Sequence, residues 1–189
     1  MPRCPWTGDR PLDNHYHDTE WGVPCFSDAV LFEYLVLDSF QAGVSWWLIL
    51  SKRENFRRAL DQFTPEIIAT YGPADVERLL HDTGIIRNRA KIEATIRNAQ
   101  LYLELRAETT LSDYLWRYVD GRPIVNRHTE LTQVPQYTPL AETMSKDLRK
   151  RGFKFMGPTT VYAFLQAAGL VNDHLVSCER WQAVQTLRR

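Results

Sequence analysis

Four stretches of this chain open on a proline and close on a glycine, and between those marks the apolar residues recur at three- and four-residue spacing. Pro65 opens a segment that Gly72 ends, Pro73 opens one that Gly84 ends, Pro139 opens one that Gly152 ends, and Pro158 opens one that Gly169 ends. Proline is at home in the first turn of a helix, where its missing N–H is not needed, and glycine is at home just past the last turn, where the backbone turns left-handed. Strict two-residue alternation, the mark of a half-buried strand, is missing from these segments. The punctuation therefore predicts an all-α fold of about eight to ten helices.

The remaining stretches fit that reading. From Asp28, LFEYLVLDSF sets Leu31, Tyr34, Leu35 and Asp38 at helical spacing, with Ser27 or Asp28 as N-cap. QAGVSWWLILSKRENFRRALDQF, from Gln41, passes from apolar to amphipathic with no proline, as one continuous stretch. The long helix expected from Ile85 carries Ile92, Ile96, Ala99 and Leu103 as one stripe, and LSDYLWRYVDG is helical. GRPIVNRHTELTQVPQYTP, with three prolines, reads as a surface loop or a short strand, and a last short helix is expected between His174 and Arg188. At 189 residues, the whole of 1–189 is expected to form a single domain of two closely packed helical lobes.

Composition narrows the function classes. With 44% hydrophobic and 24% charged residues the chain is an ordinary globular one. Its longest apolar run, Val44 to Leu50, is too short to cross a bilayer, and no apolar stretch follows Arg3 to make a signal peptide. A soluble cytoplasmic protein is expected, with no membrane partner and acting as a monomer. Net charge is zero but segregated: up to Ser45 there are two basic residues against seven acidic ones. Basic residues gather at Arg87, Arg89, Lys91 and Arg97, and again at Lys146, Arg149, Lys150, Arg151 and Lys154. Such clusters suit a polyanion, and equally suit a solvated helix face. Three cysteines spread along the chain make no disulfide framework.

Three constellations carry chemistry. Cys4 and His17, with His174 and Cys178 one helical turn apart, make a Cys2His2 set that could hold a structural zinc joining the two chain ends. Closing a loop of that length costs about 4–5 kcal/mol, and a structural zinc returns about 10–16 kcal/mol. The alternative is a pair of ordinary buried cysteines with surface histidines. Tyr16, Trp21, Asp38 and Trp46 make the second set, a carboxylate among aromatic faces that suits a flat cation. Asp38-Ser39 as a helix N-cap, and the tryptophans as plain core, is the competing reading. LLHDTGIIRNRAK and RGFKFMGPTTVYAF are the third, each reading as helix, glycine turn, helix; backbone N–H groups at such a turn suit a phosphate.

Several strings then carry a resemblance. YHDTEWGVP (16–24), QAGVSWWLILSKRENFRRAL (41–60), GIIRNRAKIEATIRNA (84–99) and LRKRGFKFMGPTTVYAFLQAAGLVNDH (148–174), with the terminal Cys4 and Cys178, resemble the DNA-3-methyladenine glycosylase I family over nearly the whole chain. The resemblance implies a helix-hairpin-helix DNA glycosylase fold with a zinc staple on Cys4, His17, His174 and Cys178. It implies excision of 3-methyladenine from double-stranded alkylated DNA by hydrolysis of the N-glycosidic bond, without a lysine nucleophile, releasing the free base. Such a lesion must leave the stack to be reached. Tyr16 and Trp46 fall where the family contacts the base, and Asp38 where a family Glu hydrogen-bonds it; Asp38 is thus the candidate catalytic carboxylate. Lys154, Gly157 and Thr159 are the candidate phosphate contacts.

Two departures qualify that resemblance. Leu37-Asp38-Ser39 stands where the family has Leu-Glu-Gly, so the carboxylate is shorter by roughly 1–1.5 Å. Asp13 stands where some relatives place a Tyr that lines the pocket. The rivals are accordingly a glycosylase with an altered base range, a lesion-binding module without turnover, and a helical scaffold with no nucleic-acid role. Asp173 sits roughly where the wider superfamily places a catalytic Asp; a supporting role beside His174, or a cap, is the expectation here.

Overall fold

The computed structural model describes residues 2–187; Arg188, the expected end of the last helix, lies outside them. Eleven α-helices run in order among the described residues: α1 (Pro11–Thr19), α2 (Asp28–Gln41), α3 (Trp46–Ser51), α4 (Arg53–Ala59), α5 (Pro65–Ile68), α6 (Pro73–His81), α7 (Arg89–Arg106), α8 (Leu111–Trp116), α9 (Pro139–Lys150), α10 (Pro158–Ala167) and α11 (Glu179–Ala183). All four proline-opened segments begin where the punctuation places them. The loop 121–138 contributes a two-residue strand β1 (Ile124–Val125), which pairs in parallel with β2 (Val171–Asn172). No described helix is long and apolar enough to cross a membrane.

α2 lies at the centre. Every residue from Leu31 to Phe40 is buried, so this helix has no solvent face and packs against α3, α7, α8 and α10. Such a helix cannot show an amphipathic stripe, because it is covered all round. Its first residue works for a neighbour: the Asp28 carboxylate accepts from the backbone N–H groups of Leu111 (3.0 Å) and Ser112 (2.9 Å), capping α8. Ser27 stands at the N-cap position of α2 but makes no side-chain capping bond.

The stretch from Gln41 is not continuous, contrary to expectation. Helix α2 ends at Gln41, and Gly43 adopts a φ of +81°, a left-handed conformation that a side chain disfavours. Ser45 then restarts the helix as the N-cap of α3, its Oγ accepting from Leu48 N at 3.3 Å. Ser39 is no cap: its hydroxyl donates to Val36 O within α2. This extra break is one reason the helices exceed the expected number.

The main apolar core runs from Leu31 to Val171. The N-terminal segment is pinned to it by the backbone, since Gly22 N donates to Gln166 O and Cys25 N to Ala168 O, each at 3.0 Å. At this crossing Gly169 has φ +69°, and a Cβ there would fall 2.3 Å from the Val23 carbonyl. Beneath, Arg53 bridges Glu33 (2.6 Å) and Glu20 (2.7 Å), fixing α4 to α2 and to the end of α1.

Candidate active site and metal centre

Between α1, α2, α3 and α10 lies a cavity of about 340 Å³ walled by Tyr16, Trp21, Asp38, Trp46, Gln166 and Asp173. Asp38 reaches it from the buried part of α2, is 2% exposed, and its Oδ2 has no hydrogen-bond partner among the described residues. Burial without any donor holds its carboxyl well above the usual carboxylate range. The indole N–H groups of Trp46 and Trp6, which also line the cavity, are likewise buried without acceptors. The Tyr16 ring lies 5.1 Å from that of Trp46, centroid to centroid, at 48°. Its phenol is pushed up by burial first and by the nearby Asp38 charge second.

The cavity is thus apolar with a few polar atoms left wanting: one carboxylate oxygen without a donor and two N–H donors without an acceptor. Groups of that kind cost about 1–3 kcal/mol each when left unpaired, and three of them at one cavity mark a place where a ligand can complete them. A planar base with both N–H and ring nitrogen has the matching complement.

A second carboxylate in the same wall is held in the opposite manner. Asp173 accepts from Asn126 Nδ2 (2.6 Å), Tyr162 Oη (2.5 Å) and Gln166 Nε2 (2.7 Å), with His128 Nε2 at 3.3 Å. None of these bonds reaches the His174 ring, so the expected supporting role beside that ligand is not its role. Asp18 sits beside a histidine of the Cys/His set instead, 2.8 Å from His17 Nδ1 and itself paired with Arg3.

Behind Trp6 and Trp21, Cys4, His17, His174 and Cys178 come together, all buried, with their donor atoms within 4.8 Å of one another. The His17 Nε2–His174 Nδ1 distance is 3.2 Å, and Cys178 Sγ lies 3.5 Å from His17 Nε2 and 3.6 Å from His174 Nδ1. Cys4 Sγ is 3.6 Å from His174 Nδ1. His174 Nε2 faces the Trp21 carbonyl at 3.0 Å and His17 Nδ1 faces Asp18. Both outward nitrogens therefore carry the proton, leaving the inward ones free as ligands. Of the two thiols Cys178 ionises first, chiefly because the Cys4 thiol hydrogen-bonds to its sulfur. The cluster could hold a metal. It also fixes the pocket: Trp21 packs edge-on against His174 at 4.6 Å and Trp6 against Trp21 at 5.1 Å.

Comparison with known proteins decides the family. Residues 6–181 match the family model described as methyladenine glycosylase. The chain belongs to the methyladenine glycosylase family. It is 47% identical over 179 residues to DNA-3-methyladenine glycosylase 1 of Escherichia coli (strain K12), covering 94% of this chain and 96% of that one. A crystal structure of 3-methyladenine DNA glycosylase I superposes with a TM-score of 0.92 at 46% identity, over 94% of this chain and 98% of the other. The Staphylococcus aureus enzyme, solved to show the structural basis of 3-methyladenine recognition, superposes with a TM-score of 0.91 at 38% identity, over 95% and 96%.

For this methyladenine glycosylase chain, the structure gathers Tyr16, Asp38 and Trp46 at one cavity and the four Cys/His residues at one cluster. Lys154, Gly157 and Thr159 sit apart, on the 151–157 turn and the start of α10, beside a basic recess with Lys146, Arg149 and Lys150. Asn98 clamps that turn, its Oδ1 accepting from Lys154 N (2.8 Å) and its Nδ2 donating to Lys154 O (3.1 Å). Lys91 does not belong to a basic face: it is buried. Asp13 is also buried, its carboxylate 2.5 Å from Arg10 Nε, and does not line the cavity. Sequence reasoning missed Leu131, Val134 and Gln166 as cavity residues. Leu131 and Val134 come from the proline-rich loop, where no periodicity marks a wall. Trp6 was missed as well; the crowding of Trp6, Tyr16, Trp21, Trp46 and Trp47 into the first 47 residues was the available signal for it.

Proposed function

We propose that this chain excises 3-methyladenine from alkylated double-stranded DNA, hydrolysing the N-glycosidic bond and releasing the free base. The observation that carries the reading is the aromatic cavity with the uncompensated Asp38 oxygen. A base methylated at N3 while still attached to the sugar is cationic. Entering the cavity, it supplies the opposite charge that Asp38 lacks, and its amino group supplies the missing donor. A neutral purine brings no counter-charge, so the buried carboxyl ionises beside it only at a cost, and selectivity follows from electrostatics. Tyr16 and Trp46 offer π faces to the cation.

The bond electrons leave with the base and cancel its positive charge, so little proton donation is needed. The electron-poor sugar carbon then takes hydroxide from water, whose proton goes to solvent. Asp173, buried at the cavity wall and held by three donors, adds negative charge close to the developing sugar cation.

Zinc is the metal we propose for the Cys/His cluster. With Zn–S of about 2.3 Å and Zn–N of about 2.05 Å, a regular tetrahedron has edges of about 3.3 Å between nitrogens and about 3.6 Å between nitrogen and sulfur. The 3.2 Å and 3.5–3.6 Å separations here fit those edges. Four protein ligands leave no open position, so the ion would staple the chain ends and supply no chemistry. Helix α9, the 151–157 turn and α10 form the helix-hairpin-helix unit in this reading. Its basic recess and Gly157, where a Cβ would meet nothing within 4 Å, suit close approach of a DNA phosphate.

A second reading, a changed base range, is favoured by the shorter Asp38 side chain, which leaves more of the cavity free. Base release from methylated duplex DNA tests both: 3-methyladenine as the principal product supports the first, and a different alkylated purine supports the second.

A further inference from the structure

Lys91 is 6% exposed, yet no carboxylate faces it. It enters from the first turn of α7, and its Nζ donates to Phe40 O at 2.7 Å and to Ala42 O. These are carbonyls at the end of α2, where the helix has no N–H donors left of its own. Burial of an ammonium without an ionic partner is unfavourable, and a methionine of similar shape would fill the same space more cheaply. What the lysine adds is geometry: one head group bridges the last turn of α2 and the turn that follows it, and its charge sits at the negative end of the helix dipole.

That turn occupies a defined place. Asp38 and Gln41 precede it on α2, Trp46 follows it on α3, and all three line the cavity. Val44 N closes it by donating to Gln41 O at 2.8 Å. Its tip, Gly43, is exposed and has φ +81° with open space around it, and the following Trp47 is 42% exposed. The turn therefore stands at the cavity mouth with its backbone held from behind by α7.

We propose that Lys91 is a positioning residue for excision: it clamps the Gln41–Ser45 turn to α7, so that Asp38 and Trp46, on either side of that turn, keep the spacing a flipped base requires. The proposal rests on the excision reading above. Removing the clamp loosens the mouth without opening the core, because the apolar stem of residue 91 stays packed among buried neighbours. The catalysed step therefore suffers more than the grip on duplex, which lies on the separate basic recess.

The test compares wild type, Lys91→Met and Lys91→Arg in three measurements: single-turnover release of 3-methyladenine from methylated duplex at saturating enzyme, melting temperature, and hydrogen exchange at the Val44 amide. For Lys91→Met the expected results are a rate at least 10-fold lower, an unchanged or raised melting temperature, unchanged affinity for undamaged duplex, and faster Val44 exchange. Lys91→Arg, which keeps a charged donor able to bridge two carbonyls, recovers part of the rate. A wild-type rate in Lys91→Met overturns the proposal, as does a rate loss that follows a fall in melting temperature. If wild type itself releases no 3-methyladenine, the excision reading fails; the exchange result then decides the clamp separately, with faster Val44 exchange supporting it and unchanged exchange overturning it.

Discussion

Replacing Cys178 by Ser removes one corner of the Cys/His cluster, and the consequence can be worked through from the structure. The cluster joins residue 4 to residue 178 and is accompanied by only a small apolar group: Cys4, Leu175 and Cys178, with Trp6 and Trp21 packed on it. Three remaining ligands hold a metal far less tightly than four. Without the metal, holding the two chain ends together carries a closure cost of up to about 4–5 kcal/mol that only the small group and the backbone bonds at Gly22 and Cys25 then offset. We therefore expect a loss of about 3–5 kcal/mol, a large part of the 5–15 kcal/mol typical of a domain. At about 2–4 °C per kcal/mol for a chain of this size, the melting temperature falls by about 6–20 °C. The central core around α2 does not include the cluster, so the change begins at the ends. Metal content, read by mass spectrometry or a colorimetric chelator, falls well below one per chain. Tryptophan fluorescence of the variant differs from wild type, since Trp6 and Trp21 lie against the cluster. Full metal occupancy with a wild-type melting temperature in Cys178→Ser would refute the ligand assignment.

Other predictions follow from the same geometry. Because burial raises the Asp38 carboxyl above its unfolded value, the folded chain keeps that proton to higher pH than the unfolded one. The associated stability is fully present below about pH 3.9, the ordinary carboxyl value, and is lost as pH rises through the folded-state value. Asp38→Asn abolishes this slope, so chemical denaturation at several pH values finds the variant more stable than wild type by about 1–3 kcal/mol at neutral pH and equal to it in acid; equal stability at neutral pH contradicts the buried, uncompensated carboxylate. Gly169→Ala places a Cβ on the Val23 carbonyl and fixes a left-handed backbone, so a loss of more than about 3 kcal/mol is expected, and near-wild-type unfolding would show that the crossing is looser than described. Lys154→Ala lowers affinity for undamaged duplex and reduces the slope of log K against log salt by about 1; an unchanged slope removes Lys154 from the DNA contact.

Helices bounded by Pro and Gly were legible in the sequence because the bounding residues act locally. The proline at a first turn and the glycine beyond a last one need no tertiary help. The break at Gly43 was missed although its signals are local, a glycine that turns left-handed and Ser45 two residues on as N-cap; no proline marks it, and what holds it from outside, Lys91 on the Ala42 carbonyl, lies 49 residues on. Lys91 itself was misread among basic neighbours, because charge composition carries no information on which face of α7 turns inward. The Cys/His set was visible as a pattern, though only the fold shows that the 157 positions between His17 and His174 close to 3.2 Å. Asp38 presented a choice between cap and pocket. Its place deep in a helix with no solvent face decides for the pocket, and the true cap, Ser45, lies beyond the turn. Asp173 gathers its donors from loop 121–138 and α10, a convergence no local pattern could announce.

The most direct test of the account is single-turnover release of bases from methylated duplex DNA by wild type and Asp38→Asn, with the products separated by chromatography. The account predicts that wild type releases 3-methyladenine, and that Asp38→Asn, folded and at least as stable, releases it at least 10-fold more slowly. Undiminished release by Asp38→Asn, or binding of the methylated duplex by wild type with no 3-methyladenine set free, would contradict it.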